Sequence, residues 1–142
     1  MADTIFTRII RGEIPSHKLF EDDRVYAFLD IGPLSQGHAL VVPKEPAATM
    51  DQLSDESAAA IGRCLPRLAR AVLKATGATA FNILQNNGRA AHQVVPHVHF
   101  HIIPRFENRP EGAGLDITWR AQKLEPAAGA DLARKIVALL AG

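Results

Sequence analysis

The sequence is short of several things, and each shortage removes a class of function. It holds one cysteine, Cys64, in 142 residues. A single thiol closes no internal disulfide and builds no cysteine zinc cluster. Charge of one sign is not in excess: 16 basic residues against 15 acidic ones leave a formal charge of +1. A broad nucleic-acid surface carries a large basic surplus instead. No apolar run approaches the ~20 residues needed to span a bilayer. Residues 1–4 are polar and acidic, without the basic stretch and apolar run of a secretory signal. Together these shortages predict a cytoplasmic protein with no membrane and no nucleic-acid partner.

The remaining composition is that of a folded domain, with 47% hydrophobic and 22% charged residues, both near globular averages. A chain this long buries roughly 68–70% of its unfolded surface, so it needs no metal or disulfide to fold. One domain over residues 1–142 is expected. Histidine is the residue in unusual supply locally. There are six, and four of them (His92, His97, His99, His101) lie within ten residues.

Periodicity divides the chain into strands, a long helix and more strands. Ile5-Phe6 and Ile9-Ile10 recur at helical spacing, which predicts a short helix over 4–11, closed by Gly12 and Pro15. Residues 17–21 and 24–31 read as two strands around an Asp22-Asp23 turn. By the period-2 rule Tyr26, Phe28 and Asp30 share one face. A third strand, 38–43, puts His38, Leu40 and Val42 together. Ser54 is a suitable N-cap for a helix over 54–76, with Asp55 and Glu56 at its positive end. Ala58, Ile61, Leu65, Leu68 and Val72 form its apolar stripe, Gly77 its stop, and Pro66 is expected to kink it. Strands are predicted over 78–86 and 97–103, the second stopped by Pro104, with a loop over 89–96 between them. A polar loop over 108–114 and a short helix over 131–141 complete the chain. The order of elements predicts an antiparallel α+β domain.

The chemistry is concentrated in His97-Val98-His99-Phe100-His101. Alternation puts the three histidines on one face and the apolar residues on the other, with successive histidine Cα atoms roughly 6.5–7 Å apart. Three functions fit such a row. It could be a half-exposed strand, though perfect alternation of one uncommon residue has no packing rationale. It could share a zinc ion, which the pattern alone leaves open. Or it could be nucleophilic. A neutral imidazole with one bare nitrogen, its other nitrogen tied to a fixed acceptor, attacks phosphorus well, and neighbouring rings donate to the oxygens that gain charge. The central His99 is then the nucleophile. The preceding Gln85, Asn86, Asn87, Gly88 and Gln93 offer uncharged amide donors for a phosphate, or equally an ordinary Asn-Gly turn.

At this point the chain resembles a family. Residues 96–103, Pro-His-Val-His-Phe-His-Ile-Ile, are similar to the signature of the histidine triad (HIT) family. Residues 3–15, 20–23, 27–31, 37–44 and 81–88 resemble that family's N-terminal helix, first three strands and pre-catalytic turn, in the same order. The resemblance implies a HIT-like fold: an antiparallel sheet of about five strands, one long helix and short terminal helices, with a core at about 3–106 and a variable tail at 107–142. It implies a homodimer whose sheets join. It also implies that His99 attacks the α-phosphorus of a nucleotide to form a nucleotidyl-histidine, which water then hydrolyses. His97 and His101 would assist the phosphate and leaving group, and His38 would steady the nucleophile. Asp30 would hold the ribose hydroxyls. Asn86 and Gln93 would contact phosphate, and Ile5, Phe6, Ile9, Phe28, Ile31 and Leu40 would form a base pocket.

Departures from the family pattern carry their own expectations. Bacterial relatives join two N-terminal cysteines and a later histidine to a triad histidine around zinc. Here Thr4, Thr7 and Pro46 stand at those positions, so no structural zinc and no other cofactor is expected. His92 replaces a common glycine. Val94 stands where relatives place a residue able to protonate an amine leaving group, and Pro96 replaces a common aromatic residue. The expected activity is hydrolysis of a purine nucleoside 5′-phosphoryl compound, with a phosphoramidate as one candidate. A dinucleoside polyphosphate is the second candidate. A nucleotide-binding module with little turnover is the reading from a different class. His17 has no counterpart in the pattern and reads as surface.

Overall fold

The computed structural model describes residues 2–109, 114–115 and 117–140. Positions 110–113 of the expected loop, and Ala141 at the expected end of the last helix, lie outside the described residues. The elements are α1 (Ile5–Ile10), β1 (Lys18–Glu21), β2 (Val25–Leu29), β3 (Ala39–Pro43), α2 (Asp55–Thr76), β4 (Ala80–Gln85), β5 (Phe100–Arg105) and α3 (Pro126–Leu140). Short 3-10 turns occupy Met50–Gln52 and Arg89–Ala91. The strands form one five-stranded sheet in the order β1-β2-β3-β5-β4, and each pairing is antiparallel. The α+β class is as the sequence predicts.

Alternation along the central strands gives the sheet two apolar faces. On one, Val25, Ala27, Ala39, Val41 and Ile102 pack with Ala60, Ile61, Cys64, Ala69 and Val72 of α2. On the other, Tyr26, Phe28, Leu40 and Val42 pack with Phe6 and Ile9 of α1. Each buried Val, Ile, Leu or Phe contributes about 1.5–3 kcal/mol of transfer free energy. The helical stripe is broader than the simple pattern. Leu65 and Leu68 pack only partly against the core, while Ala60, Cys64 and Ala69 are buried in it.

α2 starts where its cap permits. Ser54 Oγ accepts from the Ser57 amide at 3.1 Å, and the Glu45 carboxylate accepts from Ser54 N, Ser54 Oγ and Ser57 Oγ. Gly77 ends it in the left-handed region (φ 78°), its N–H donating to the Leu73 carbonyl. The helix runs unbroken past Pro66. Pro66 and Gly62 both face solvent, so water can take the residue 62 carbonyl that proline leaves without a donor.

Several boundaries differ from the sequence expectation, three of them for a definable reason. β5 begins at Phe100, not His97. The β3–β5 register pairs Val41 with Phe100, so two residues further on it would set Pro43, which has no N–H, opposite Val98. Val98 N donates to the Ala47 carbonyl instead, at 2.8 Å. Nor does Pro104 stop the strand. It pairs with Phe81, and its carbonyl accepts from Ser35 Oγ at 2.6 Å. A strand residue's nitrogen and carbonyl point to the same side, so the missing N–H costs no bond to β4. Third, α3 begins at Pro126, a first-turn position that tolerates proline, and none of its residues is buried. Among the described residues no helix is long and apolar enough to cross a membrane.

Candidate active site

α1 is short, and its cap fixes it. Thr4 Oγ1 accepts from Phe6 N and Thr7 N, while Thr7 Oγ1 accepts from Thr4 N at 2.8 Å. The capping box sets Phe6 edge-on to Phe28 at 5.7 Å between ring centroids, and edge-on to His99 at 4.9 Å. Between α1, the segment after β2 and the loop before β5 lies a cavity of about 720 Å³. Ile5, Phe6, Ile9, Phe28, Ile31 and Leu40 line it, and so do Asp30, His38, Asn86, His99 and His101. These residues come from positions far apart in sequence, and the structure brings them together.

Hydrogen bonds define which imidazole nitrogens carry protons. His99 Nδ1 lies 2.7 Å from the His97 carbonyl. A carbonyl only accepts, so Nδ1 is the protonated nitrogen and Nε2 keeps its lone pair. The Leu34 amide donates to His38 Nδ1 at 3.0 Å, which leaves the proton of His38 on Nε2. That nitrogen lies 2.9 Å from His101 Nδ1 and donates to it, so His101 carries its own proton on Nε2. A directed chain thus runs from the Leu34 amide through His38 to His101. Its last N–H belongs to a residue lining the cavity, with the bare Nε2 of His99 on the neighbouring ring. The two rings lie 5.0 Å apart between centroids.

Burial keeps this group uncharged. His38, His97, His99 and His101 all have their pKa pushed below the ordinary imidazole value, mainly because burial disfavours the cation. His101 is pushed down to about 4, since His99 and His38 add to the burial effect while Asp30 opposes it. Asp30 stands at the opening, where Oδ1 accepts from Gly32 N at 2.8 Å and Oδ2 lies 3.6 Å from His38 Nε2.

Two expected site residues stand elsewhere. His97 does not line the cavity. It is 0% exposed, and its Nε2 donates to the Pro43 carbonyl at 2.8 Å. Its Nδ1 is buried with no partner. The alternating row of three thus contributes only two rings to the cavity, the His97 ring being drawn to the Pro43 carbonyl instead. Gln93 is also absent from the lining. Its Oε1 accepts from Gly88 N, and its Nε2 donates to the carbonyls of Ala48 and Val95, at 2.7, 2.7 and 2.9 Å. The amide is spent on holding its own loop. Asn86 lines the cavity and is available to a ligand. His17 is exposed.

Sequence reasoning missed the Leu34 amide, since nothing in a side-chain pattern marks a main-chain donor. It also missed Gly37. Its φ of +88° demands glycine, and a Cβ there would meet Thr76 Cγ2 at 2.6 Å. Its positive φ is a turn signal; the close approach of α2 has none.

Zinc of the kind bound by bacterial relatives does not suit these residues. The hydroxyls at Thr4 and Thr7 are engaged in the helix cap, and Pro46 has no donor. Asp30, His38 and His101 each offer one ligand atom, all within 4.8 Å of one another. Yet His38 Nδ1 is taken by Leu34 and its Nε2 carries a proton, so that cluster is a hydrogen-bonded chain.

Comparison with known proteins agrees with this fold. The HIT domain family model matches residues 11–108. An adenosine 5′-monophosphoramidase of Schizosaccharomyces pombe is 51% identical over 136 residues, covering 93% of this chain and 97% of that protein. A Saccharomyces cerevisiae protein of the same description is 43% identical over 141 residues, covering 99% and 85%. The solved structure of a hypothetical protein from Leishmania major superposes with a TM-score of 0.89 at 43% identity, over 98% of this chain and 96% of that one. With two thirds of its length matched by the HIT model and relatives similar along nearly the whole sequence, the chain belongs to the HIT family.

Proposed function

We propose that this protein hydrolyses a purine nucleoside 5′-phosphoryl compound at its α-phosphorus through a covalent nucleotidyl-His99, with a nucleoside phosphoramidate as substrate. The observation that carries the reading is the bare, uncharged Nε2 of His99, left by the bond from Nδ1 to the His97 carbonyl. A buried imidazole held in one tautomer beside a cavity is costly as packing and apt as a nucleophile. The descriptions of the two yeast relatives support the same chemistry.

The remaining residues divide the work. Ile5, Phe6, Ile9, Phe28, Ile31 and Leu40 sandwich the base, and Asp30 accepts from the ribose hydroxyls. Asn86 and the Nε2–H of His101 donate to the phosphoryl oxygens as charge gathers on them. His38 acts through His101 by holding its tautomer. His97 and Gln93 are positioning residues, the first through its carbonyl and the second through its loop. No metal is used. Stoichiometric zinc in the purified protein would overturn that point.

A dinucleoside polyphosphate is favoured as the alternative substrate by Val94, an 89% exposed side chain at the cavity with no proton to give. A phosphate leaving group needs less protonation than an amine. The deciding experiment is incubation with an adenosine phosphoramidate and with a diadenosine polyphosphate, followed by rapid quench and mass spectrometry. A nucleotidyl adduct on His99 with the phosphoramidate is expected. Adduct with the dinucleotide alone would select the alternative. No adduct or product from either would favour a binding module.

The protein also acts as a homodimer on this reading. β4 is an edge strand, and its Phe81 and Ile83 are exposed. An unpaired edge with apolar side chains suits pairing with a second copy. A cytoplasmic setting suits a chain whose one cysteine is a buried free thiol.

A further inference from the structure

We propose that His92 is the general acid of this site, passing its proton to the leaving group as the bond to phosphorus breaks. The inference rests on the hydrolase reading above and names a residue which that reading does not use. Three features of the structure converge on it.

His92 is the one non-glycine residue with positive φ among the described residues, at +69°. A left-handed backbone at a bulky side chain is sparsely populated and persists only where the surroundings over-determine it. They do so here. His92 N donates to the Arg89 carbonyl, Gln93 N donates to the Gly88 carbonyl, and the three bonds of the Gln93 amide lock the loop on the far side. The scaffold would suit glycine, yet it carries an imidazole into the cavity lining.

The second observation is what surrounds that ring. The cavity residues contributed by this loop are His92, Val94 and Val95, and of these only His92 has a transferable proton. The third is that the other imidazoles cannot serve as acids. His38 and His99 are buried and His101 is half-buried, burial disfavours the cation at each, and the N–H of His38 is committed within the chain of bonds. His92 is the solvent-exposed imidazole at the cavity.

The step balances. His99 Nε2 forms a bond to phosphorus while the phosphorus–nitrogen bond to the amine breaks. The proton of the His92 imidazolium goes to the departing nitrogen, giving a neutral amine, neutral His92 and nucleotidyl-His99. In the second half a water oxygen bonds to phosphorus, the bond to His99 breaks, and the water's proton returns to His92.

The test compares wild type, His92→Gly and His92→Gln on two substrates: an alkyl phosphoramidate of AMP, and a nitrophenyl ester of AMP whose phenolate departs without a proton. General acids contribute typically ~10²–10⁴-fold. The ratio of the amine rate to the phenolate rate should therefore fall by at least about tenfold in both variants. Added imidazole should restore part of the amine rate in His92→Gly. That variant should melt no lower than wild type, because glycine is at ease in this conformation. A ratio unchanged within twofold, or equal losses on both substrates, would overturn the role. Absence of a nucleotidyl-His99 from wild type with either substrate would instead overturn the hydrolase reading beneath it.

Discussion

The imidazole of His99 donates from Nδ1 to the main-chain carbonyl of His97, two residues earlier, at 2.7 Å. The contribution of His97 to the neighbouring ring is thus backbone, while its own side chain is spent on Pro43. The bond selects the tautomer in which Nε2 is bare, and the first prediction depends on it. His99→Ala should lower turnover on the order of 10³-fold or more, as loss of a nucleophile does. Nucleotide affinity, read by calorimetry, should change little. Turnover at the wild-type rate would refute the mechanism.

His38→Ala removes the link between the Leu34 amide and His101. With its acceptor duty gone, His101 is free to adopt either tautomer. We expect a fall in kcat of about tenfold with KM nearly unchanged, the pattern of a lost transition-state interaction. Nitrogen NMR of His101 should show mixed tautomers. A single retained tautomer would mean that the relay is not what orients the ring.

Gln93→Ala separates a loop brace from a phosphate ligand. Truncation leaves Gly88 N, Ala48 O and Val95 O without their partner. Unfolding free energy should fall by about 1–3 kcal/mol. Lost activity at full stability would instead place Gln93 on the substrate.

The buried histidines make stability depend on pH. Their folded pKa values lie below the unfolded one, His101 at about 4. Between those values the unfolded chain binds more protons, so stability rises with pH. It is fully present above ~6.5 and is lost as pH falls toward 4. Each such histidine contributes a slope of up to about 1.4 kcal/mol per pH unit. Urea titrations between pH 6.5 and 5 should show a shallower slope for His101→Gln than for wild type. Parallel slopes would mean that His101 is not protonated on unfolding in this range.

Gly37→Ala forces a Cβ to within 2.6 Å of Thr76 and 3.3 Å of Val72, on a backbone that disfavours it. Overpacking and strain together should cost roughly 2 kcal/mol or more. Because Gly37 precedes His38, turnover should fall too. A melting temperature equal to wild type would show that the end of α2 yields easily.

Much of this molecule is legible in its sequence, because the signals involved are local. The cap at Ser54, the stop at Gly77 and the alternation of Val25, Tyr26, Ala27 and Phe28 each depend on residues a few positions apart. Helix and strand periods alone then sort the apolar residues onto two faces. The histidine row likewise marks His99 and His101 as neighbours. What the tertiary structure decided is which groups the imidazoles meet. The Pro43 carbonyl that claims His97 lies 54 positions away, and His38 reaches His101 across 63. Gln93 is equally ambiguous in sequence, for an amide on a turn serves a phosphate or a carbonyl with the same atoms. The Ala48 carbonyl, 45 positions distant, is one of the groups that settle the choice here. A local pattern specifies where a side chain points along its own element; a proton's place on a ring is set by whichever partner the fold carries to it.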